Sequence, residues 1–340
     1  MSINSKVLNE TNTFLLSTNG LPIMKNINDI SRAIGISPKR IYEYSRFTST
    51  FYKEFEIKKK NGTKRKINAP NAGLKLIQKW ILENILYRIQ LDTPVYGFSK
   101  GMRFPTKENA IVHQQSLFLF QTDIEDFFSN IKAEKVYYLF TKIGYNQEVS
   151  LTLTSLCTLN NTLPQGGVTS PYLSSLTCFR MDRRIAGLCQ KRDIFYSRYA
   201  DDITLSADNM GDLKRVKYHL EKIIKSEGFN LNVKKTRYSS HKKIITGLAI
   251  HEQKVLVPRI QKRNLRAKIF NSINNCDYSE TSEIIGYISY INSIESSYGK
   301  KVSKYIEDIL VRSSDKQNIE FKKSELCNYL KTAKIFNPSL

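Results

Sequence analysis

Apolar positions divide the chain into helices and short extended runs. Leu74, Ile77, Ile81 and Ile85 recur at helical spacing, with Trp80 on or near the same face, and predict a packed helix. Val136, Leu139, Phe140 and Ile143, then Val149, Leu153 and Leu156, predict two more. Another runs through Leu213, Val216, Leu220 and Ile223 and stops at Gly228. From Pro258 onward the pattern is again helical, through Ile284, Tyr287, Ile288, Ile291 and Ile294. The intervening runs are shorter. Residues 117–120 are continuously apolar, as in a strand buried on both faces, and Asp123 falls at its end. Residues 194–206 read as strand–turn–strand with Ala200-Asp201-Asp202 at the turn. Residues 229–233 predict a further strand, leading into Lys234-Lys235-Thr236-Arg237. Residues 244–250 are expected to pair with 254–257 across His251-Glu252-Gln253.

Local signals refine this outline. Residues 28–42 have the cadence of a helix-turn-helix, with Gly35 in the turn and Ser37-Pro38 opening the second helix; an ordinary helical hairpin gives the same pattern. Residues 55–67 predict a hairpin around Asn61-Gly62, with six Lys or Arg near its tip. Such a hairpin is either a solvated charged edge or a clamp for phosphate, with Lys64 and Arg65 the best candidates. Asn109 and His113 fall four apart on one face of an expected helix. The run Leu163-Pro164-Gln165-Gly166-Gly167 reads as a loop that lets backbone approach a ligand closely, and it enters a helix with Ser170 as N-cap and Pro171 at its first position. Pro258 is the best candidate for a domain edge.

Charge changes the picture. Of the 340 residues, 53 are Lys or Arg and 31 Asp or Glu, a formal net charge of +22, and the excess is spread over every third of the chain. A positive field distributed over a folded body suits a long polyanion, although membrane-surface and ribosome-associated proteins share the composition. The five cysteines are widely spaced without a Cys-x-x-Cys pair, which argues against a zinc site or a disulfide framework and for a reducing compartment. No signal pattern or membrane-length apolar run is present, so a soluble, cytoplasmic protein with no membrane partner is expected.

A bare Asp-Asp pair is most often a surface turn. Asp123 alters that reading. If its strand neighbours the 194–206 hairpin, three carboxylates converge, and like charges that close raise one another's pKa unless cations compensate. Two Mg²⁺ ions would do so and would hold the attacking and leaving oxygens of an in-line phosphoryl transfer. Making and cleaving a phosphodiester are equally served by such a site. Polymerisation needs a triphosphate clamp, a loop over the nascent pair and a test of the sugar, which residues 58–66, Gln165-Gly166 and Phe128 could supply.

The ordered series Asp123-x-x-x-x-Phe128, Leu163-Pro164-Gln165-Gly166, Tyr199-Ala200-Asp201-Asp202 and Gly228…Leu231-Asn232…Lys235-Thr236 resembles the motifs of reverse transcriptases over roughly residues 50–250. Asn109-Ala110-Ile111-Val112-His113 and Ile245-Thr246-Gly247 further resemble two motifs of bacterial retron enzymes, with Ile in place of Val in the second. The resemblance implies an α+β right-hand polymerase: N-terminal helical region and fingers at 1–116, palm with an antiparallel sheet at 117–256 (a fingers insertion at about 131–165), and a helical, RNA-binding thumb at 257–340. It implies RNA-directed DNA synthesis from dNTPs with two Mg²⁺ ions. Asp123, Asp201 and Asp202 would hold metal, assisted by the Ile124 carbonyl. Lys64 and Arg65 would meet the triphosphate, Phe128 would exclude a ribose 2′-OH, and Gln165 and Gly166 would line the nascent pair. Lys235 would act as general acid, and Tyr199, Thr246 and Gly247 would lie along primer and template. Asn109, His113, Arg259, Lys262, Arg263 and Arg266 would contact RNA. Expected partners are a structured non-coding RNA, its cDNA (msDNA) primed from a guanosine 2′-OH, and an effector protein in anti-phage defence. A group II intron-like or abortive-infection enzyme, or a non-catalytic RNA-binding scaffold, is the alternative.

Overall fold

The computed structural model describes residues 10–58, 62–91 and 94–333; the Asn61 half of the expected hairpin turn lies outside them. In chain order the elements are α1 (Thr13–Thr18), α2 (Ile27–Ile34), α3 (Pro38–Arg46), β1 (Tyr52–Lys58), β2 (Lys64–Pro70), α4 (Ala72–Asn84), α5 (Pro105–Ile111), β3 (Phe118–Asp123), α6 (Phe127–Asn130), α7 (Ala133–Ile143), α8 (Gln147–Cys157), α9 (Ser170–Thr177) and α10 (Phe179–Gln190). They continue with β4 (Phe195–Tyr199), β5 (Asp202–Ala207), α11 (Met210–Ser226), β6 (Arg237–Ser239), β7 (Lys243–Ile245), β8 (Leu248–His251), β9 (Lys254–Leu256), α12 (Arg259–Asn275), α13 (Thr281–Ile294), α14 (Tyr298–Leu310), α15 (Asp315–Lys323) and α16 (Glu325–Thr332). Helices and antiparallel sheets are thus mixed, as expected of an α+β fold.

Two compact units result: Met1–Arg103 with Leu117–Tyr238, and Phe104–Ser116 with Ser239–Leu340. Pro258 opens the first long helix of the second unit, and that unit begins earlier, at Ser239. The first unit holds a four-stranded sheet in the order β4-β5-β3-β6, and β5 pairs antiparallel with both β4 and β3. Helices α10 and α11 cover it through Met181, Ile185, Leu213, Val216 and Leu220, all buried. Burying each such side chain contributes about 1.5–3 kcal/mol. The β1–β2 hairpin forms as expected, in register from Tyr52↔Pro70 to Lys58↔Lys64. In the second unit the three-stranded sheet β7-β8-β9 packs on α5, and Ile284, Ile288, Ile291 and Ile294 bury one face of α13. Tyr287 is exposed on its opposite side.

Several local expectations are corrected. Leu117 is exposed and precedes β3, because Asp208 Oδ1 accepts its N–H outside the ladder. Residues 229–233 form no strand: Glu125 donates to the Asn230 carbonyl and Asn232 to the Asp123 carbonyl, and the chain then tightens into a single 3₁₀ turn at Val233–Lys235. Residues 244–250 split into two strands because Thr246 and Gly247 both have positive φ, 46° and 84°, and turn the chain. Thr169 rather than Ser170 precedes the first turn of α9, with Pro171 inside it. In α11 Ile224 is the fully buried residue, and Ile223 is half-buried.

Candidate active site

The ladder places the carboxylates. In β3, Leu119, Phe120, Thr122 and Asp123 are buried, so both faces of the strand are covered, and the register ends on Asp123↔Asp202. On its other edge β5 meets β4 with Tyr199↔Asp202, a two-residue hairpin whose tip is Ala200-Asp201. Such a tip needs positive φ, and Ala200 adopts 56°. Ile124 donates to the Asp201 carbonyl at 3.0 Å, tying the end of β3 to the tip. Three carboxylates from two strand ends therefore meet.

Their electrostatics follow. Burial, then Asp202 and Asp123, push the Asp201 carboxyl up to about 6. Asp202 is also raised, by burial and by Asp123, against the pull of Lys235 and Arg237. Lys235 Nζ lies 2.5 Å from Asp123 Oδ2, and that hydrogen bond raises the ammonium's pKa and keeps it charged. A cluster of hard oxygen donors with unrelieved mutual repulsion suits a divalent cation. Among the described residues, however, no three His, Cys, Asp or Glu side chains stand in a ready-made ligand set. Lys235 takes up the Asp123 carboxylate instead.

The other expected first-unit residues surround this point or line a neighbouring hollow. A cavity of about 360 Å³ is lined by Lys64, Arg65, Lys66, Asn68, Asp126 and Gln165 among others. Lys64 also pairs with Glu56 at 2.6 Å across the hairpin, an exposed contact of little energetic weight. The Gln165 carbonyl accepts the Asn68 N–H at 2.7 Å, docking its loop on β2. Gly166 has φ 120°, and a Cβ there would stand 2.6 Å from the Asn68 carbonyl oxygen, so only glycine fits. Phe128 is half-buried between Phe98 and Phe127, at ring-centroid distances of 6.4 and 5.5 Å.

The second-unit candidates stand differently. Asn109 and His113 are both buried on and just after α5. Burial holds His113 down at about 3, hence neutral. Thr246 Oγ1 donates to the Thr106 carbonyl at 3.2 Å beside α5, so the two retron-like motifs share one local structure. Arg259, Arg263 and Arg266 are exposed on α12, whereas Lys262 is committed to Glu295 at 2.9 and 3.1 Å.

Four supporting residues, Arg198, Asp182, Tyr196 and Gly97, escape a reading of motifs. Arg198 is fully buried in β4; its Nε and one Nη bond Asp182 at 2.7 and 2.6 Å, and its other Nη donates to the Ala200 carbonyl at 2.8 Å. Tyr196 donates to the same Asp182 carboxylate at 2.6 Å. This network grips the hairpin tip from beneath. Gly97 is pressed on the tip from another side, where a Cβ would stand 2.3 Å from Ala200 N. An arginine amid apolar strand residues was the available signal for the first pair, since a buried charge needs a partner. A lone Gly between aromatics gives no comparable sign.

With this geometry in view, the comparisons are direct. The model of the family described as reverse transcriptase (RNA-dependent DNA polymerase) matches residues 57–288. The chain belongs to the reverse transcriptases, and its activity is that of an RNA-directed DNA polymerase. It is 37% identical over 303 residues to the retron Ec86 reverse transcriptase of Escherichia coli, covering 88% of this chain and 93% of that one. It is 27% identical over 314 residues to the retron Mx65 reverse transcriptase of Myxococcus xanthus, covering 85% and 73%. These relatives mark it as a retron-type member. Among solved structures, telomerase from Candida albicans in complex with a fragment of telomeric RNA matches with a TM-score of 0.45 and 11% identity, covering 83% of this chain and 61% of that one.

Proposed function

We propose that this enzyme copies part of a structured non-coding RNA into single-stranded DNA primed from a guanosine 2′-OH, leaving a branched RNA–DNA product (msDNA). The register that ends β3 and β5 on Asp123 and Asp202, beside the Asp201 tip, is the observation that carries the polymerase chemistry. Bound there, two Mg²⁺ ions would activate the primer hydroxyl and stabilise the departing pyrophosphate. Asp123, Asp201 and Asp202, with the Ile124 carbonyl, are the ligands the site offers. Lys64 and Arg65 receive the triphosphate, while Gln165 and Gly166 floor the nascent pair. Phe128, its ring confined by Phe98 and Phe127, closes the space a ribose 2′-OH would need. Lys235, kept charged by Asp123, yields a proton to pyrophosphate when the triphosphate draws it away. Tyr199 lies at the primer end, and Thr246-Gly247 grips it.

Residues 1–116 serve as the N-terminal region and fingers, 117–256 as the palm with 131–165 inserted from the fingers, and 257–340 as the thumb. Arg259, Arg263 and Arg266 give the thumb its RNA-facing charge. The proposal includes cytoplasmic action in an anti-phage system with an effector protein, a reading that the likeness to retron enzymes supports. Expression of the native locus tests the retron reading: RNA-linked branched single-stranded DNA is expected, and recovery of linear cDNA alone contradicts it.

A further inference from the structure

We infer that Gln78 is a positioning residue for the incoming nucleotide, although it lies in none of the motif runs. It is fully buried on α4. Its Nε2 donates to the Tyr52 hydroxyl at 2.7 Å and to the Leu156 carbonyl at 2.8 Å, so both amide hydrogens are engaged. Its Oε1 accepts the Val168 N–H at 3.0 Å. A flipped amide would set Oε1 against the Leu156 carbonyl and Nε2 against the Val168 N–H, so its orientation is fixed.

The three partners lie in different segments, two of which lead into the cavity lined by Lys64, Arg65 and Gln165. Tyr52 starts β1, which carries β2 and its cations Lys64, Arg65 and Lys66. Leu156 lies in the last turn of α8. Val168 closes the Gln165-Gly166-Gly167 loop, whose Gln165 carbonyl is already bonded to Asn68 of β2. Gln78 thus fastens the roots of the basic hairpin and of the loop to one point. The loop has little freedom of its own at that end: a Cβ on Gly167 would stand 2.6 Å from Ser170 Oγ and 2.9 Å from Pro164 Cγ. Losing the clamp lets the hairpin and loop shift relative to each other, and misplacement of a binding group by about 1 Å weakens reaction on the order of a hundredfold in unfavourable cases.

The inference rests on the reading that nucleotide binds between Arg65 and Gln165, and the test separates the two. Steady-state extension of a primed RNA template by the full chain is measured against dNTP concentration for Gln78→Met, Tyr52→Phe, Gln78→Glu and Arg65→Ala. Gln78→Met keeps the volume and removes all three bonds; Tyr52→Phe removes one hydroxyl and keeps the core. A rise in KM for dNTP of roughly tenfold in Gln78→Met and about threefold in Tyr52→Phe is expected, with kcat lowered less than KM is raised. Gln78→Glu, with a buried carboxyl that donates one hydrogen bond only when protonated, is expected to recover a lower KM as pH falls from 8 to about 6. A merely structural role would instead lower kcat through loss of active molecules and leave KM unchanged. An unchanged KM in folded Gln78→Met, or in Tyr52→Phe should Gln78→Met not fold, overturns the positioning role if Arg65→Ala raises KM. If Arg65→Ala also leaves KM unchanged, the nucleotide-site reading itself fails.

Discussion

At the scale of single residues, the candidate site depends on side chains that never meet substrate. Arg198 and Asp182 are both buried, and each satisfies the other's charge while Arg198 holds the Ala200 carbonyl. Removing one partner leaves an uncompensated buried charge, so Asp182→Ala is expected to cost about 3–5 kcal/mol in urea unfolding. The paired change Asp182→Leu with Arg198→Met is expected to recover much of that stability but not polymerase activity, because the Ala200 carbonyl still lacks its donor. Recovery of both would show that the network serves folding alone. Gly97→Ala forces a Cβ against the backbone of the tip. The overpacking is expected to cost about 1–3 kcal/mol and, through displacement of Asp201, to slow incorporation roughly a hundredfold. A Gly97→Ala enzyme extending primers at the parent rate would show that the tip tolerates such movement.

At the scale of elements, α5 and the β7-β8-β9 sheet form one module that the sequence presents as two distant motifs. His113 lies in its interior, neutral, with its pKa held down at about 3 by burial. The unfolded chain takes up a proton near the ordinary value of 6.5, so between 6.5 and 3 it binds more protons than the folded state does. The contribution is therefore fully present above 6.5 and lost as pH falls through that window, by about 2 kcal/mol at pH 5. A stability–pH profile of His113→Asn flatter than that of the parent is the expected result; parallel profiles would refute it. Much of this level was legible in advance. The pairing of residues 118–123 with the hairpin could be anticipated because Asp123 and Asp201-Asp202 end runs of β-forming residues. The strand expected at 229–233 shrinks to a single antiparallel bridge, Ile124↔Leu231, because the chain tightens into a 3₁₀ turn at Val233. Gly97 and Gln78 could not be read at all, and Arg198 signalled a buried partner without naming Asp182. Their meaning lies in contacts across tens of residues that no spacing records.

At the scale of the whole molecule, the net charge of +22 belongs to the fold's many surfaces rather than to one tail. No helix among the described residues is long and apolar enough to cross a membrane. Binding of a structured RNA should then be strongly salt-dependent, with affinity falling at least about a hundredfold between 50 and 200 mM monovalent salt. Substituting one of Arg259, Arg263 or Arg266 by Ala is expected to lower the slope of log affinity against log salt by less than about one unit each. A slope near zero in filter binding would deny the polyanion its place in the design.

The central claim is that Asp123, Asp201 and Asp202 carry phosphoryl transfer at the joined ends of β3 and β5. Purified enzyme bearing Asp201→Asn together with Asp202→Asn tests it most directly, with dNTP incorporation and RNA affinity measured side by side. Incorporation reduced to background with RNA affinity within about twofold of the parent is the expected result. Incorporation at the parent rate would contradict it.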